Sequence, residues 1–290
     1  MNMFLIEGLI ITGILFYVAS CALKETKPKV FLKKFFFCAT AAWMAEESCI
    51  MLYGIYTYGP VWNFFVADVP LVVIIVWPAI ILSATVLSSC LLTPNSSLIP
   101  LVAGAIVLTD AMLIEPISVN FNLWRWHQPG LFGVPLIGFL GWAYFAVFSV
   151  GFFVPIGLLS RIKLRLPIML VVSVIGTHLC LLISYWAFFK WNILSLSPTF
   201  SSGAIWIVSV IIFSIFLFSK IGDRVELKTL LFRLPAAIFF YILLFIKKDS
   251  PMPLIVYSLA FILPYIAILV RSNCSWTCST IDRNTSGRHS

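Results

Sequence analysis

This chain is expected to fold as an all-α polytopic bundle of transmembrane helices, with about nine spans, the N-terminus outside and the C-terminus inside. Three observations carry that expectation. Of its 290 residues, 61% are hydrophobic and 10% charged. A soluble domain is nearer half apolar and a quarter charged, so too few polar residues remain to coat a globule of this size. The apolar residues gather in runs of about 20, the length that crosses a bilayer core. These runs do not alternate and are too long for barrel strands. The basic residues fall between the runs, and they fall unevenly.

The first run, 3–23, has no positively charged leader and exceeds a signal-peptide core, so it is taken as a retained span. Further runs follow at 35–55, 70–92, 98–119, 136–160, 166–189, 203–221, 233–247 and 252–271. The eighth is short and suits a re-entrant segment as well as a crossing. One domain, 1–272, holds all of them. Residues 273–290 form a polar tail expected to be disordered and cytoplasmic. With the N-terminus outside, Arg125, Lys190, Lys247 and Lys248 face outward, and the other 15 of the 19 Lys and Arg, Arg233 among them, face inward. That asymmetry sets the orientation. It also gives the formal net charge of +8 a topological meaning, with no nucleic-acid partner implied.

The seven cysteines contain no CxxC pair. Cys21, Cys38, Cys49, Cys90 and Cys180 sit in or beside apolar runs, where Cys packs as a small residue. Cys274 and Cys278 lie in the tail without the surrounding His or Cys of a metal site. No Ser/His/Asp arrangement, Walker loop or HExxH motif is present, and three histidines are too few for a His-rich di-iron site. No metal and no cofactor is expected.

Two loops stand out, both on the outer side: YTYGPVWNFFVADVP (56–70) and NFNLWRWHQPGLFGVP (120–135). Both are aromatic, and both end in a Val-Pro expected to open the next helix, because proline suits a first turn. Ionisable groups inside spans are costly and mark functional candidates. The chain offers Glu7, Glu46, Glu47, Asp110, Glu115 and His178, with Asp68 at the mouth of the third span. Asp110 and Glu115 are five residues apart, about 140° around a helix and about 7.5 Å along it. They do not share a face but can border one cavity. Pro116 frees a carbonyl one turn back and can bend the helix. Tyr53 follows Glu46 by seven residues, on nearly the same face. Plainer roles stand beside these. A buried acid can simply pair with a donor on another helix, and Tyr56, Tyr58, Trp62, Trp124 and Trp126 can form an interfacial aromatic belt. Glu7 is expected to be solvated at the membrane edge, and His178 to be a hydrogen-bonded packing residue. Carboxyl acids and aromatic faces in a lipid-accessible site suit acid-initiated addition to an alkene. A protonated carboxyl group hands its proton to a double bond, and ring faces attract the resulting cation.

The segment Thr109–Trp142, TDAMLIEPISVNFNLWRWHQPGLFGVPLIGFLGW, resembles the signature of the membrane carotenoid biosynthesis proteins that include carotenoid hydratases and bisanhydrobacterioruberin hydratase. The matching features are Asp110, Glu115-Pro116, Trp124 and Trp126, the run Gly130 through Pro135, and Phe139 through Trp142. Upstream, Glu46, Tyr53-Gly54, Tyr56, Tyr58, Val69-Pro70 and Trp77 resemble the family's first motif, and the clear likeness covers roughly 43–145. Glu115 stands where the family often has Asp, Asp68 where Gly is expected, and Gly138 where Asn usually precedes the Phe. The resemblance implies hydration of the terminal C1=C2 double bond of an acyclic carotenoid end to a tertiary alcohol, without a redox cofactor, in a bacterial or archaeal cytoplasmic membrane. One of Asp110 and Glu115 would protonate the alkene and the other would position water. Glu46 or Glu47 would support them, and Tyr53, Tyr56, Tyr58, Trp124, Trp126 and Trp142 would bind the substrate. The expected partners are a lipophilic carotenoid and membrane lipid. A membrane cyclase, a transporter or lipid-binding protein, and a structural protein are the competing assignments.

Overall fold

The computed structural model describes residues 3–25, 27–92, 96–154, 164–186, 197–218, 225, 230 and 232–271. Among these residues, seven helices are long and apolar enough to cross a membrane: α1 (Met3–Lys24), α2 (Pro28–Tyr53), α3 (Leu71–Leu91), α4 (Ile99–Asn120), α5 (Leu136–Phe153), α6 (Arg165–Ser184) and α7 (Pro198–Phe218). They match the first seven apolar runs. α2 starts about two turns before its run, because Pro28 at its first position opens a helix whose initial turns carry Lys29, Lys33 and Lys34. The tail, with Cys274, Cys278, Arg283 and Arg288, lies outside the described residues, as do Arg161, Lys163, Lys190, Lys220, Arg224 and Lys228.

The last two runs depart from simple spans. α8 (Arg233–Ile246) has 14 residues, about 21 Å of rise against a hydrocarbon core of about 30 Å. The ninth run is broken into α9 (Met252–Leu259) and α10 (Ile262–Arg271). Pro264 is the reason, since it has no N–H for the carbonyl of Ala260 and is tolerated only in a helix's first turn.

α3 lies at the centre: 72% of its apolar stretch is buried, against 17% for α1 and for α7. The outer helices turn large apolar side chains outward, Leu9, Phe16, Phe200 and Ile207 among them. That would be an aggregation hazard in water and is what a lipid-facing surface requires. Pro70 and Pro135 cap α3 and α5 with φ of −60° and −69° and extended ψ, so the Val-Pro pairs stand one position ahead of the expected first turn. Pro116 does free a carbonyl. Met112, one turn back, instead accepts a hydrogen bond at 3.1 Å from the Tyr257 hydroxyl of α9.

Three contacts bring the same end of several helices together. Glu7, near the start of α1, accepts hydrogen bonds from the Asn63 backbone N–H (3.0 Å), the Asn63 side chain (2.5 Å) and the Phe64 N–H (3.4 Å). It is fully buried, which corrects the expectation of a solvated edge residue: the loop folds over it and supplies the donors that a buried carboxylate needs. Lys247, after α8, donates to the carbonyl of Asn120 at the end of α4, and Asn120 donates to Ser250 at 3.1 Å. Both aromatic loops therefore lie at the end that holds the start of α1 and the ends of α4 and α8.

Candidate active site

The aromatic loops meet as a short ribbon. β1 (Tyr56–Tyr58) pairs antiparallel with β4 (Trp124–Trp126), with Tyr56 opposite Trp126, Thr57 opposite Arg125 and Tyr58 opposite Trp124. Side chains alternate along a strand, so one face carries the four aromatic rings while Thr57 and Arg125 remain exposed. The approach is backbone to backbone: Gly59 N–H donates to the Leu123 carbonyl at 2.8 Å, and a Cβ at Gly59 would strike the Asn122 carbonyl. Trp62 donates to the same Leu123 carbonyl at 2.8 Å. A second ribbon, β2 (Phe65–Val66) with β3 (Val69–Pro70), leads into α3. These aromatics do not make a lipid-facing belt. Their rings turn inward, over two carboxyl groups.

Glu115, 3% exposed, receives three indole N–H groups: Trp124 and Trp126 at Oε2 (2.7 and 2.9 Å) and Trp142 at Oε1 (2.8 Å). Glu46, on α2, is held the same way. Its Oε2 accepts from the Tyr56 hydroxyl and from the Tyr58 hydroxyl at 3.0 Å, and its Oε1 accepts from Trp77 at 2.9 Å. All six donors are neutral aromatic groups. A carboxylate has about four acceptor positions, so the two-plus-one division leaves Oε1 of each acid with a lone pair that no donor among the described residues fills. The rings of Trp77 and Trp142, the two single donors, pack at 4.7 Å, and Tyr56 lies against Trp126 at 4.8 Å. Burial, and then the neighbouring Glu46, hold the Tyr56 and Tyr58 phenols well above the usual tyrosine range, so both remain O–H donors.

Both acids, their six donors and Asp110 line one cavity of about 890 Å³, otherwise walled mainly by apolar side chains of α1, α3, α4, α5 and α8. Asp110 is engaged differently. Arg233 Nη1 lies 2.5 Å from its Oδ2, the Tyr265 hydroxyl 3.5 Å from its Oδ1, and Arg233 Nε donates to Ser83 at 2.9 Å. Arg233 is 4% exposed. It is no loop charge and leaves the inward count that set the orientation. It neutralises Asp110, since a buried guanidinium needs an anionic partner. For Asp110 the plainer role, an acid paired with a donor from another helix, describes the geometry.

Glu47 and Tyr53 lie off the cavity. Glu47 accepts the Asp68 backbone N–H at 3.0 Å and so holds the β2–β3 turn. The Tyr53 hydroxyl is 3.0 Å from His178 Nδ1, and His178 Nε2 is 2.7 Å from Ser48 Oγ. This trio joins α2 to α6, a hydrogen-bonded packing role for His178.

A family model described as carotenoid biosynthesis protein matches residues 6–205. The chain belongs to the carotenoid biosynthesis protein family. No curated protein and no solved structure matches it. In this carotenoid biosynthesis protein the matched segment contains Glu46, Glu115 and all six of their donors, whereas Arg233 and Tyr265 lie beyond it. Trp77 belongs to the upstream motif, and nothing local to it in the sequence marks its bond to Glu46. Arg233 was missed as a site residue, although a basic residue bordering an apolar run that faces an intramembrane acid was the available signal. Gly138 also gains a meaning: a Cβ there would come within 2.7 Å of the Trp126 ring. The missing side chain lets that indole lie against α5 and reach Glu115.

Proposed function

We propose that this family member hydrates the terminal C1=C2 double bond of an acyclic carotenoid end, giving a tertiary alcohol. The observation that carries the proposal is Glu115, buried under three indole N–H groups at the wall of an apolar cavity, with Oε1 accepting one of them and Oε2 two. Glu115 delivers a proton from Oε1 to C2 and the cation forms at the tertiary C1. Proton transfer turns the acid into a carboxylate, and three donors already aimed at its oxygens stabilise that charge as it develops, without reorganisation. The faces of Trp77, Trp142, Trp126 and Tyr56 surround the cation. Water bonds to C1 and releases its proton to Glu46, whose Oε1 has the matching open position. A proton shift from Glu46 to Glu115 restores both groups, so the net change is one water added. Asp110, paired with Arg233, fixes α4 against α8 and stays out of the proton chemistry.

The proposal extends to topology. The start of α1 and the aromatic end face outward, the seven long helices cross in alternation, α8 returns from mid-bilayer to the outer side, and α9–α10 crosses as a broken ninth span into a cytoplasmic tail. The host membrane is the cytoplasmic membrane of a bacterium or archaeon. The test is expression in a host that makes acyclic carotenoids. A pigment heavier by one water supports hydration, a new pigment of unchanged mass assigns cyclisation instead, and an unaltered profile with confirmed protein refutes both.

A further inference from the structure

The cavity is not closed on every side, and its opening has a definite place. Among the residues that line it, four are exposed: Leu9, Gly13 and Phe16 of α1, and Pro235 of α8. Every other lining residue is buried or half-buried. Leu9, Gly13 and Phe16 follow one another at four and three residues, which places them in a single stripe along α1. Leu9 and Phe16 are 73% and 74% exposed, and a Cβ at Gly13 would meet nothing within 4 Å. The opening is bounded at both ends. Toward the aromatic loops, Glu7 is clamped to Asn63 and the Phe4 and Phe64 rings pack at 5.7 Å. At the other end the Tyr17 and Phe232 rings close at 5.1 Å. From Glu7 to Tyr17 is ten residues, a slot about 15 Å tall, and it faces sideways into the layer that the apolar exterior of α1 occupies. The end toward the membrane surface is covered by the β1–β4 ribbon.

We infer that this slot between α1 and α8 is a lateral portal occupied by the tail of a long linear isoprenoid, whose reacting end lies at Glu115 while the rest of the chain stays in lipid. The inference rests on the proposed hydration for the identity of the reacting end and names how that substrate is held. A long conjugated polyene is rigid and extended, so its length and not its volume limits how much of it a cavity of about 890 Å³ takes in, and the remainder leaves through the slot. The portal edge is uncharged and apolar, so it offers the tail nothing beyond what lipid offers and places no demand on the far end. Recognition is therefore end-on. One acyclic end is read, and the opposite end, acyclic or cyclised, is not.

The test places the photoreactive residue p-benzoylphenylalanine at Phe16 or at Leu15 of the full chain, in phosphatidylcholine vesicles containing radiolabelled lycopene. Leu15 is exposed, does not line the cavity, and lies roughly 100° around the helix from Phe16. Leu9 against the same Leu15, which lies roughly 120° around the helix from it, is a second such pair, in case the label at Phe16 disturbs folding. Pigment–protein adduct at the portal position should exceed its partner by at least roughly tenfold, the ratio that about 1.4 kcal/mol of preferential occupancy gives. Unlabelled γ-carotene, with one cyclised end, should suppress that adduct as well as unlabelled lycopene does. Equal adduct at both positions of each pair overturns the portal, and failure of γ-carotene to compete overturns end-on recognition. Adduct at Phe16 without hydrated pigment in the same vesicles keeps the portal and removes the hydratase assignment. Hydration without a preferred adduct does the reverse.

Discussion

Replacing Glu115 by Gln keeps the shape of the side chain and removes its acidic proton, and the hydrogen-bond geometry sets what else changes. A glutamine offers one acceptor oxygen and an NH₂ with two donors. With the amide oxygen at the position of Oε2, the bonds from Trp124 and Trp126 survive. The NH₂ then meets the Trp142 indole N–H, which donates to Oε1 across 2.8 Å in the native site, and the contact becomes donor against donor. The opposite flip loses two bonds in place of one. The better choice therefore strands one buried N–H, at about 1–3 kcal/mol, a loss a bundle of this size should survive. Activity should fall much further, by about 10²–10⁴, the usual worth of a general acid. Glu115→Asp retains the proton and should keep part of the activity. The assay is pigment mass per unit of membrane-inserted protein, with a melting curve of the detergent-solubilised variant. Glu115→Gln protein that accumulates normally and turns over substrate at the native rate would refute the assignment of the acid. Activity that falls only in proportion to protein level would make Glu115 a structural residue.

Trp142→Phe keeps a ring at the cavity wall and deletes the one donor that Glu115 Oε1 has among the described residues. Product formation should drop by about 10², the cost of losing one preorganised donor to a developing anion, and an unchanged rate would limit Trp142 to its ring face. Asp110→Asn leaves Arg233 buried and unpaired, which should cost about 3–5 kcal/mol and lower protein level and melting temperature. Adding Arg233→Met should recover most of that stability, and normal stability of the single variant would contradict the ion pair. For topology, reporter fusions after Lys34 and Arg165 should both read as cytoplasmic, and an outside signal at Arg165 would overturn the orientation.

The spans were legible because length and hydropathy are local properties, and each of the seven long helices announces itself in its own run. The break between α9 and α10 was not, since an apolar average passes smoothly over Pro264. The acids were legible as anomalies in hydrocarbon, but what each acid does depends on partners from elsewhere. Glu115 and Asp110 look alike within α4, and only the packing of α8 gives one of them an arginine. The indole cage is equally non-local. Tyr56 and Trp126 are adjacent because two loops pair in one register, and composition alone pointed to a surface belt. Periodicity misplaced Tyr53: it does follow Glu46 around α2, but at the helix end its hydroxyl meets His178 of α6 and no longer faces the cavity.

The β1–β4 ribbon supplies both acids at once, two phenols to Glu46 from one strand and two indoles to Glu115 from the other. A slip of a single residue would reverse the side chains of the strand that moved, turning Thr57 or Arg125 inward and stripping one of the two carboxyls of two donors. Surface loops ordinarily tolerate insertions and deletions, but these two should not. Their lengths are bound to each other, and among related chains a change in one should survive only where the other has changed to restore the register.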